Sequence, residues 1–109
     1  MSQFDTLLQA LKKFRDERDW EQFHNAKDLA LALNVEAGEL LELFLRKNAG
    51  EENKEKVKEE LADVFAFAML LADKYGFDIE AIISEKIKTN AAKYPVEKAK
   101  GTAKKYTEL

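Results

Sequence analysis

Apolar residues recur every three or four positions along most of this chain, which is the spacing of one face of an α-helix. One proline and four glycines offer few places where a helix would have to end. No segment shows the strict alternation of a half-buried strand. Because 109 residues suffice for a single compact domain, we predict one all-α domain over residues 1–109, arranged as a four-helix bundle.

Four helices are predicted from the apolar stripes and from residues that favour helix ends. They cover residues 2–18, 27–47, 54–75 and 78–93. Ser2 and Asp5 resemble a capping box at the start of the first helix. Gly76 suits the position after the third helix, and Asp78 is a candidate N-cap for the fourth. Residues 95–109 show no clear period and are expected to form a basic C-terminal tail or arm.

The second predicted helix is apolar on more than one side. Several of its apolar residues lie off the main stripe: Leu31, Val35, Leu41 and Leu45. A helix that is apolar nearly all round is buried nearly all round. Since a chain this small cannot easily bury such a helix alone, we expect a homo-oligomer.

Composition removes several classes of function. The chain carries 18 basic and 21 acidic residues, for a net charge of −3, which does not favour nucleic acid as a partner. It has no cysteine, which excludes disulfides, thiolate nucleophiles and zinc–thiolate sites. No apolar run approaches the roughly 18 residues of a membrane span, and the amino-terminus does not read as a signal peptide. We expect a cytoplasmic protein without a membrane partner.

Two acidic pairs, Glu36-x-x-Glu39 and Glu60-x-x-Asp63, each place two carboxylates one helical turn apart. Glu36 also interrupts a stripe of leucines, where a carboxylate is costly unless a positive group meets it. Four carboxylates from two neighbouring helices would form an oxygen-only site suited to Mg²⁺ or Mn²⁺, rather than zinc or copper. Mg²⁺ is usually completed by phosphate oxygens, so the expected ligand carries phosphate. The alternative is a solvated acidic helix face.

A carboxylate-bearing helical bundle could also hold two irons. Such sites usually need a Glu-x-x-His pair on each of two helices. The chain has one histidine, His24, and it lies outside both acidic pairs. The di-iron interpretation therefore fails on its ligand count.

The segment Trp20–His24 gathers aromatic and polar side chains between the first two predicted helices. It could stack a planar base and hydrogen-bond its edge. It could equally close the end of the bundle, and for His24 alone spacing favours a capping or structural role.

One face of the fourth predicted helix is basic and polar, through Lys86, Asn90 and Lys93, with Tyr94 adjacent. Two lysines and an amide could hold phosphate oxygens. Such a face is more often simply solvated.

Taken together, these motifs resemble a known family. Twenty residues separate Glu36-x-x-Glu39 from Glu60-x-x-Asp63. The flanks are Phe-Arg-Asp-Glu-Arg-Asp-Trp-Glu-Gln-Phe-His at 14–24, Thr-Asn at 89–90, Tyr-Pro-Val at 94–96 and Lys-Lys-Tyr-Thr-Glu-Leu at 104–109. When these flanking segments are included, nearly the whole chain resembles the MazG-like all-α nucleoside triphosphate pyrophosphohydrolases. Within that family it resembles the dCTP pyrophosphatase branch.

The resemblance implies a role for each motif. The acids Glu36, Glu39, Glu60 and Asp63 would bind Mg²⁺, and Trp20 and His24 would line the base and sugar pocket. Lys86, Asn90, Lys93 and the adjacent Tyr94 would face the phosphates with help from another subunit. The assembly would be a dimer or a dimer of dimers.

Two positions depart from the pattern of the dCTP branch. Arg46 stands where that branch tends to carry a second tryptophan, and Phe67 stands where it tends to carry a tyrosine. By the resemblance both positions would contact the nucleotide, so the preferred base stays open.

The predicted function is Mg²⁺-dependent hydrolysis of deoxynucleoside triphosphates, dCTP or a related one, to the monophosphate and pyrophosphate. Its purpose would be cleaning of the nucleotide pool. One alternative is an enzyme of the same superfamily acting on dUTP or phosphoribosyl-ATP. The other is a non-catalytic helical interaction module whose acids are surface charge.

Overall fold

The structure is a computed structural model and describes residues 2–109. Within that range the chain is helical and contains no strand, which confirms the all-α prediction. The α-helices are α1 (Gln3–Glu17), α2 (Ala26–Glu42), α3 (Lys54–Lys74), α4 (Ile79–Lys93) and α5 (Val96–Ala99). Two short 3₁₀ helices cover Glu21–Phe23 and Tyr106–Glu108. The chain divides into two compact units, the first ending at Phe77 and the second beginning at Asp78.

In the first unit, α2 packs along α3, and α1 also contacts α3. The core of this unit is small. Leu29 on α2 is only 1% exposed, and Met69, Leu70 and Ala72 on α3 are also buried. An ion pair between Lys12 Nζ on α1 and Asp73 Oδ1 on α3, 3.7 Å apart, adds a contact at the edge.

Three residues predicted to begin or end helices do so in the structure: Ser2, Gly76 and Asp78. The Ser2 hydroxyl oxygen accepts the Asp5 N–H at 3.1 Å, and the Asp5 carboxylate accepts the Ser2 N–H at 3.2 Å, which completes the capping box. Gly76 has φ +69°, and the Phe77 N–H reaches back to the Ala72 carbonyl at 2.9 Å. That arrangement is a Schellman ending, for which glycine is favoured. The Asp78 carboxylate accepts the Ala81 N–H and caps α4.

The predicted second helix is too long at its C-terminal end. It was expected to reach residue 47, but α2 ends at Glu42. Beyond this point the backbone tightens: the N–H of Phe44 bonds to the Leu41 carbonyl, three residues back, at 3.0 Å. Arg46 then adopts φ +63°, a left-handed conformation that stops a helix. Because the apolar pattern continues past residue 42, it does not indicate that the chain turns there toward α3.

The apolar residues predicted to lie off the main stripe of the second helix are exposed in the single chain. Leu31, Val35, Leu41 and Leu45 are each between 52% and 59% exposed. On α3, Phe65 is 61% exposed. The first unit therefore presents large apolar side chains that its own core does not cover.

In the second unit, the segment predicted as a tail or arm contains local structure. Helix α5 follows Pro95 at once, and Tyr106 packs edge-on against Tyr94 with ring centroids 6.1 Å apart. The ammonium of Lys93 lies 4.9 Å from the centre of the Tyr106 ring, a cation–π contact. These contacts fold the last residues back onto the end of α4. The sequence did not predict this, because isolated aromatic residues carry no periodic signal.

Candidate metal and nucleotide site

Packing of α2 against α3 brings three of the predicted acids together. Glu36 projects from α2, and Glu60 and Asp63 project from α3 one turn apart. Each offers an oxygen, and the three oxygens lie within 4.8 Å of one another. Glu36 and Glu60 are half-buried, whereas Asp63 is exposed. This spacing allows a single divalent cation to contact all three carboxylates.

Two oxygens of this cluster have no protein partner. Glu36 Oε2 and Glu60 Oε2 are buried and accept no hydrogen bond from the described residues. A buried carboxylate oxygen without a partner is destabilising. A divalent cation would supply the missing partner, and an all-oxygen set suits a hard ion such as Mg²⁺ or Mn²⁺. The residues present therefore fit a divalent metal.

The same crowding changes the acidity of Glu36. Its pKa is raised from 4.5 to about 7, chiefly because the protonated carboxyl can hydrogen-bond to Glu60. Burial raises the pKa further, and so do the negative charges of Glu39 and Asp63. Without a cation the cluster therefore retains a proton near neutral pH, and metal binding must displace it.

Glu39 differs from the other three acids. It is exposed on α2 and is not one of the three acids whose oxygens lie within 4.8 Å of one another. Its position one turn after Glu36 leaves it at the solvent side of the site. Its role as a metal ligand stays a prediction.

A cavity of about 280 Å³ adjoins the carboxylates. Four of the predicted site residues line it: Trp20, His24, Asp63 and Phe67. The remaining wall consists of Leu11, Phe14, Arg15, Ala66 and Leu70. Asp63 belongs both to the acid cluster and to the cavity wall, so the two form one continuous site. A molecule in the cavity would have one end beside the carboxylates.

A tight loop after α1 presents Trp20. Asp19 adopts φ +56°, and the Gln22 side-chain amide donates to the Asp19 carbonyl at 2.8 Å. The Trp20 N–H donates to the Arg15 carbonyl at 3.1 Å. The indole edge packs against Phe14 with centroids 5.7 Å apart, and the residue remains 44% exposed. Backbone and ring are thus both held, while enough of the indole stays open to contact a ligand.

His24 lies in the same cavity wall with an unused nitrogen. Its Nδ1 is buried and has no hydrogen-bond partner among the described residues. Burial lowers the pKa of His24, and the positive charges of Arg15 and Lys74 lower it further. The ring is therefore neutral at pH 7. Asn25, rather than His24, caps α2, by accepting the Asp28 N–H at 2.8 Å.

The predicted phosphate-binding residues belong to the second unit. Lys86 and Asn90 are exposed on α4, whereas Lys93 and Tyr94 lie at its end beside Tyr106. Their role toward a nucleotide stays a prediction. The same is true of Arg46, which lies in the turn after α2.

Sequence reasoning did not single out Arg15, which is 6% exposed and lines the cavity. The available signal was its place one turn after Leu11, on the apolar stripe of α1. A charged residue on such a stripe is the same kind of signal that identified Glu36.

The chain is similar in sequence to a known family and to several known proteins. The MazG-like family model matches residues 31–109. The chain is 42% identical over 105 residues to dCTP pyrophosphatase 1 of Rattus norvegicus and 39% identical to that of Homo sapiens. Each match covers 89% of this chain and 62% of the relative, so the chain spans about three fifths of those proteins.

A solved structure is also similar. It is a pyrophosphatase from Archaeoglobus fulgidus, 32% identical, with a TM-score of 0.81. The match covers 87% of this chain and 94% of that chain.

None of the helices within residues 2–109 is both long and apolar enough to cross a membrane.

The raised pKa of Glu36 predicts a pH-dependent stability of the metal-free protein. The folded chain holds this proton more tightly than the unfolded chain, so the free energy of unfolding falls as pH rises from about 4.5 to about 7. Glu36→Gln should not show this fall in the free energy of unfolding, because the glutamine amide does not ionise. In EDTA, urea unfolding should show the variant more stable than wild type above pH 7, with the difference vanishing toward pH 4.5.

Glu59→Gln is the matched control, because Glu59 is an exposed acid on the same helix as Glu60. It should leave the pH profile unchanged. An identical profile for wild type and Glu36→Gln would show that the carboxylates are not coupled in the folded chain.

Proposed function

The chain belongs to the MazG-like family, and from that premise we propose that it hydrolyses deoxynucleoside triphosphates, dCTP or a related one, to the monophosphate and pyrophosphate. One observation supports this proposal above the others. Three carboxylates with two unpartnered buried oxygens adjoin a cavity that contains Trp20 and His24. A nucleotide would fit both parts of this site, with its metal-bound triphosphate at the carboxylates and its base in the cavity. Acting on the cytoplasmic nucleotide pool, the enzyme would remove unwanted nucleotides.

The acid cluster is proposed to bind Mg²⁺, with Mn²⁺ as a substitute. When bound, the cation would neutralise charge on the phosphate oxygens during displacement. Glu36, Glu60 and Asp63 would hold it, and their crowding would be relieved in doing so. Glu39, at the exposed edge, would orient a water molecule toward the α-phosphorus and accept its proton at a carboxylate oxygen.

The cavity is proposed to bind the base and the sugar. Trp20 would stack on the base with the exposed part of its ring, and Phe67, which also lines the cavity, would pack against the base. The unpartnered Nδ1 of a neutral His24 would form a hydrogen bond to the nucleoside. Excluding water from this apolar wall would strengthen each polar contact within it.

The leaving pyrophosphate needs positive charge, which the acid cluster itself lacks. Lys86 and Lys93 are proposed to supply it, with hydrogen bonds from Asn90 and Tyr94 and with help from a second subunit. Cations placed where charge develops stabilise the transition state directly.

A substrate panel tests the activity. The protein is incubated with each deoxynucleoside triphosphate, phosphoribosyl-ATP and Mg²⁺, and the products are separated. Monophosphate and pyrophosphate are expected, with dCTP or a close relative turned over fastest, and Glu36→Gln should abolish turnover while remaining folded. Diphosphate with orthophosphate would contradict the proposed bond.

Two other outcomes of the same panel select the alternatives. Fastest turnover of dUTP or of phosphoribosyl-ATP would assign the chain to a different reaction of the superfamily. A folded protein that turns over none of them would support a non-catalytic interaction module.

Trp20→Ala tests the base cavity. Stacking of a base on an aromatic ring is worth about 1–3 kcal/mol, so KM should rise by roughly 5- to 150-fold with a smaller fall in kcat. Phe23→Ala is the control, since Phe23 is 62% exposed on the same loop and does not line the cavity. Equal KM values for the two variants would remove Trp20 from substrate binding.

The exposed apolar surface supports the proposal of a homo-oligomer, a dimer or a dimer of dimers. Leu31 and Val35 lie one turn apart on α2 and are both more than half exposed. Val35→Lys should shift the mass measured by sedimentation equilibrium toward the monomer, while the exposed polar site Lys27→Glu should not. A wild-type protein that sediments as a monomer would contradict the proposal.

A further inference from the structure

Arg15 is a buried charge in the wall of the nucleotide cavity. Only 6% of its surface is exposed, and it lines the cavity together with Leu11 and Phe14 of the same helix. A guanidinium carries five N–H donors, has no acceptor and keeps its charge at all physiological pH values. Burying it beside apolar side chains is costly unless its donors find acceptors.

The protein acceptors satisfy this guanidinium only in part. Its Nε donates to Asp16 Oδ1 at 2.8 Å, but its Nη2 is 3.8 Å from Glu21 Oε2, which is too long for a hydrogen bond. The side chains of Asp16 and Glu21 are 53% and 59% exposed, so solvent weakens both ion pairs. The Nη2 end of Arg15 thus has donor capacity left for another acceptor.

Among the residues that line the cavity, Arg15 is the one that offers positively charged hydrogen-bond donors. Most of the other lining residues are apolar: Leu11, Phe14, Ala66, Phe67 and Leu70. Asp63 accepts rather than donates and belongs to the acid cluster, and His24 is uncharged. A molecule that fills this cavity gains most if it presents an oxygen acceptor toward Arg15.

We propose that Arg15 is a specificity-determining residue that donates a hydrogen bond to a carbonyl oxygen of the nucleobase. This rests on the proposed function, because it takes a nucleobase as the occupant of the cavity. Cytosine, thymine, uracil and guanine carry such an oxygen, and adenine does not. Arginine is well suited to the task, since its planar fork can meet a carbonyl and an adjacent ring nitrogen at once. The cavity therefore favours keto-bearing bases.

A single-atom change in the ligand tests the assignment. Cytosine has one carbonyl, so the probes are the α,β-imido analogues of dCTP and of 2-thio-dCTP, which resist hydrolysis and differ in one atom. Binding in Mg²⁺ is followed by fluorescence of Trp20, the only tryptophan. Sulfur is the weaker acceptor, and a hydrogen bond to a charged group is stronger than one between neutral groups. Wild type should therefore prefer the oxo ligand by roughly tenfold or more.

Arg15→Met keeps an unbranched apolar chain in place of the aliphatic stem of arginine but removes the donors. It should weaken oxo binding by roughly 10- to 100-fold and abolish most of the oxo-over-thio preference. It should leave binding of the α,β-imido dATP analogue within about threefold of wild type. Lys13→Met is the control, because Lys13 is an exposed cation on the same helix that pairs with Glu17. It should change no preference.

Equal weakening of oxo and thio ligands by Arg15→Met, or no weakening, would overturn the proposal. If Arg15→Met fails to fold, Arg15→Lys decides. It retains the charge without the planar fork, so the proposal requires it to reduce the oxo preference severalfold, and an unchanged preference refutes it.

Failure of the proposed function gives a different result. If wild type shows the Arg15-dependent preference but hydrolyses none of the triphosphates in the substrate panel, the activity is wrong and the Arg15 assignment stands. If wild type binds neither analogue, the Arg15 assignment is wrong, and turnover of the substrate panel alone decides the activity.

Discussion

The packing of α2 against α3 brings mutually repelling carboxylates together at a partly buried position in the first unit. Oxygens of Glu36, Glu60 and Asp63 lie within 4.8 Å of one another, and two buried oxygens of the cluster have no hydrogen-bond partner among residues 2–109. The leucine stripe on α2 supplies the apolar contact that holds the two helices together, with Leu29 at its most buried point. The fold therefore holds together groups whose charges repel, and the pKa of Glu36 is raised to about 7 by its hydrogen bond to Glu60, by burial and by the neighbouring negative charges. A divalent cation held by these carboxylates would relieve the repulsion.

The shape of the cavity beside the acid cluster depends on how α1 ends. The left-handed Asp19 turns the chain back so that the Trp20 N–H reaches the Arg15 carbonyl, and the ring packs on Phe14. His24 then precedes the Asn25 cap of α2 with one nitrogen unpaired. Because Asp63 lies in both the acid cluster and the cavity wall, the proposed phosphate site and the proposed base cavity adjoin each other.

Part of the fold and of the site could be predicted from the sequence, and the exceptions have physical reasons. Signals that depend on neighbours within one helical turn correctly predicted the capping box at Ser2 and the glycine ending at Gly76. The acidic pairs likewise predicted that Glu36 lies beside Glu60 and Asp63, whereas its role as a metal ligand stays a prediction. The early end of α2 did not follow, because only the required turn toward α3 forces Arg46 into a left-handed conformation. The burial of Arg15 was also missed, although its place one turn after Leu11 on the apolar stripe of α1 was a usable signal.

The central claim is that these carboxylates hold a divalent cation, and Mn²⁺ titration followed by electron paramagnetic resonance tests it most directly. The metal-free protein is compared with Glu60→Gln, which removes one charge from the cluster while preserving its shape, and with the exposed-site variant Glu59→Gln. The account predicts that wild type and Glu59→Gln bind Mn²⁺ alike, and that Glu60→Gln binds it more weakly by at least roughly tenfold, about 1.4 kcal/mol. Equal Mn²⁺ affinity for all three proteins would contradict it.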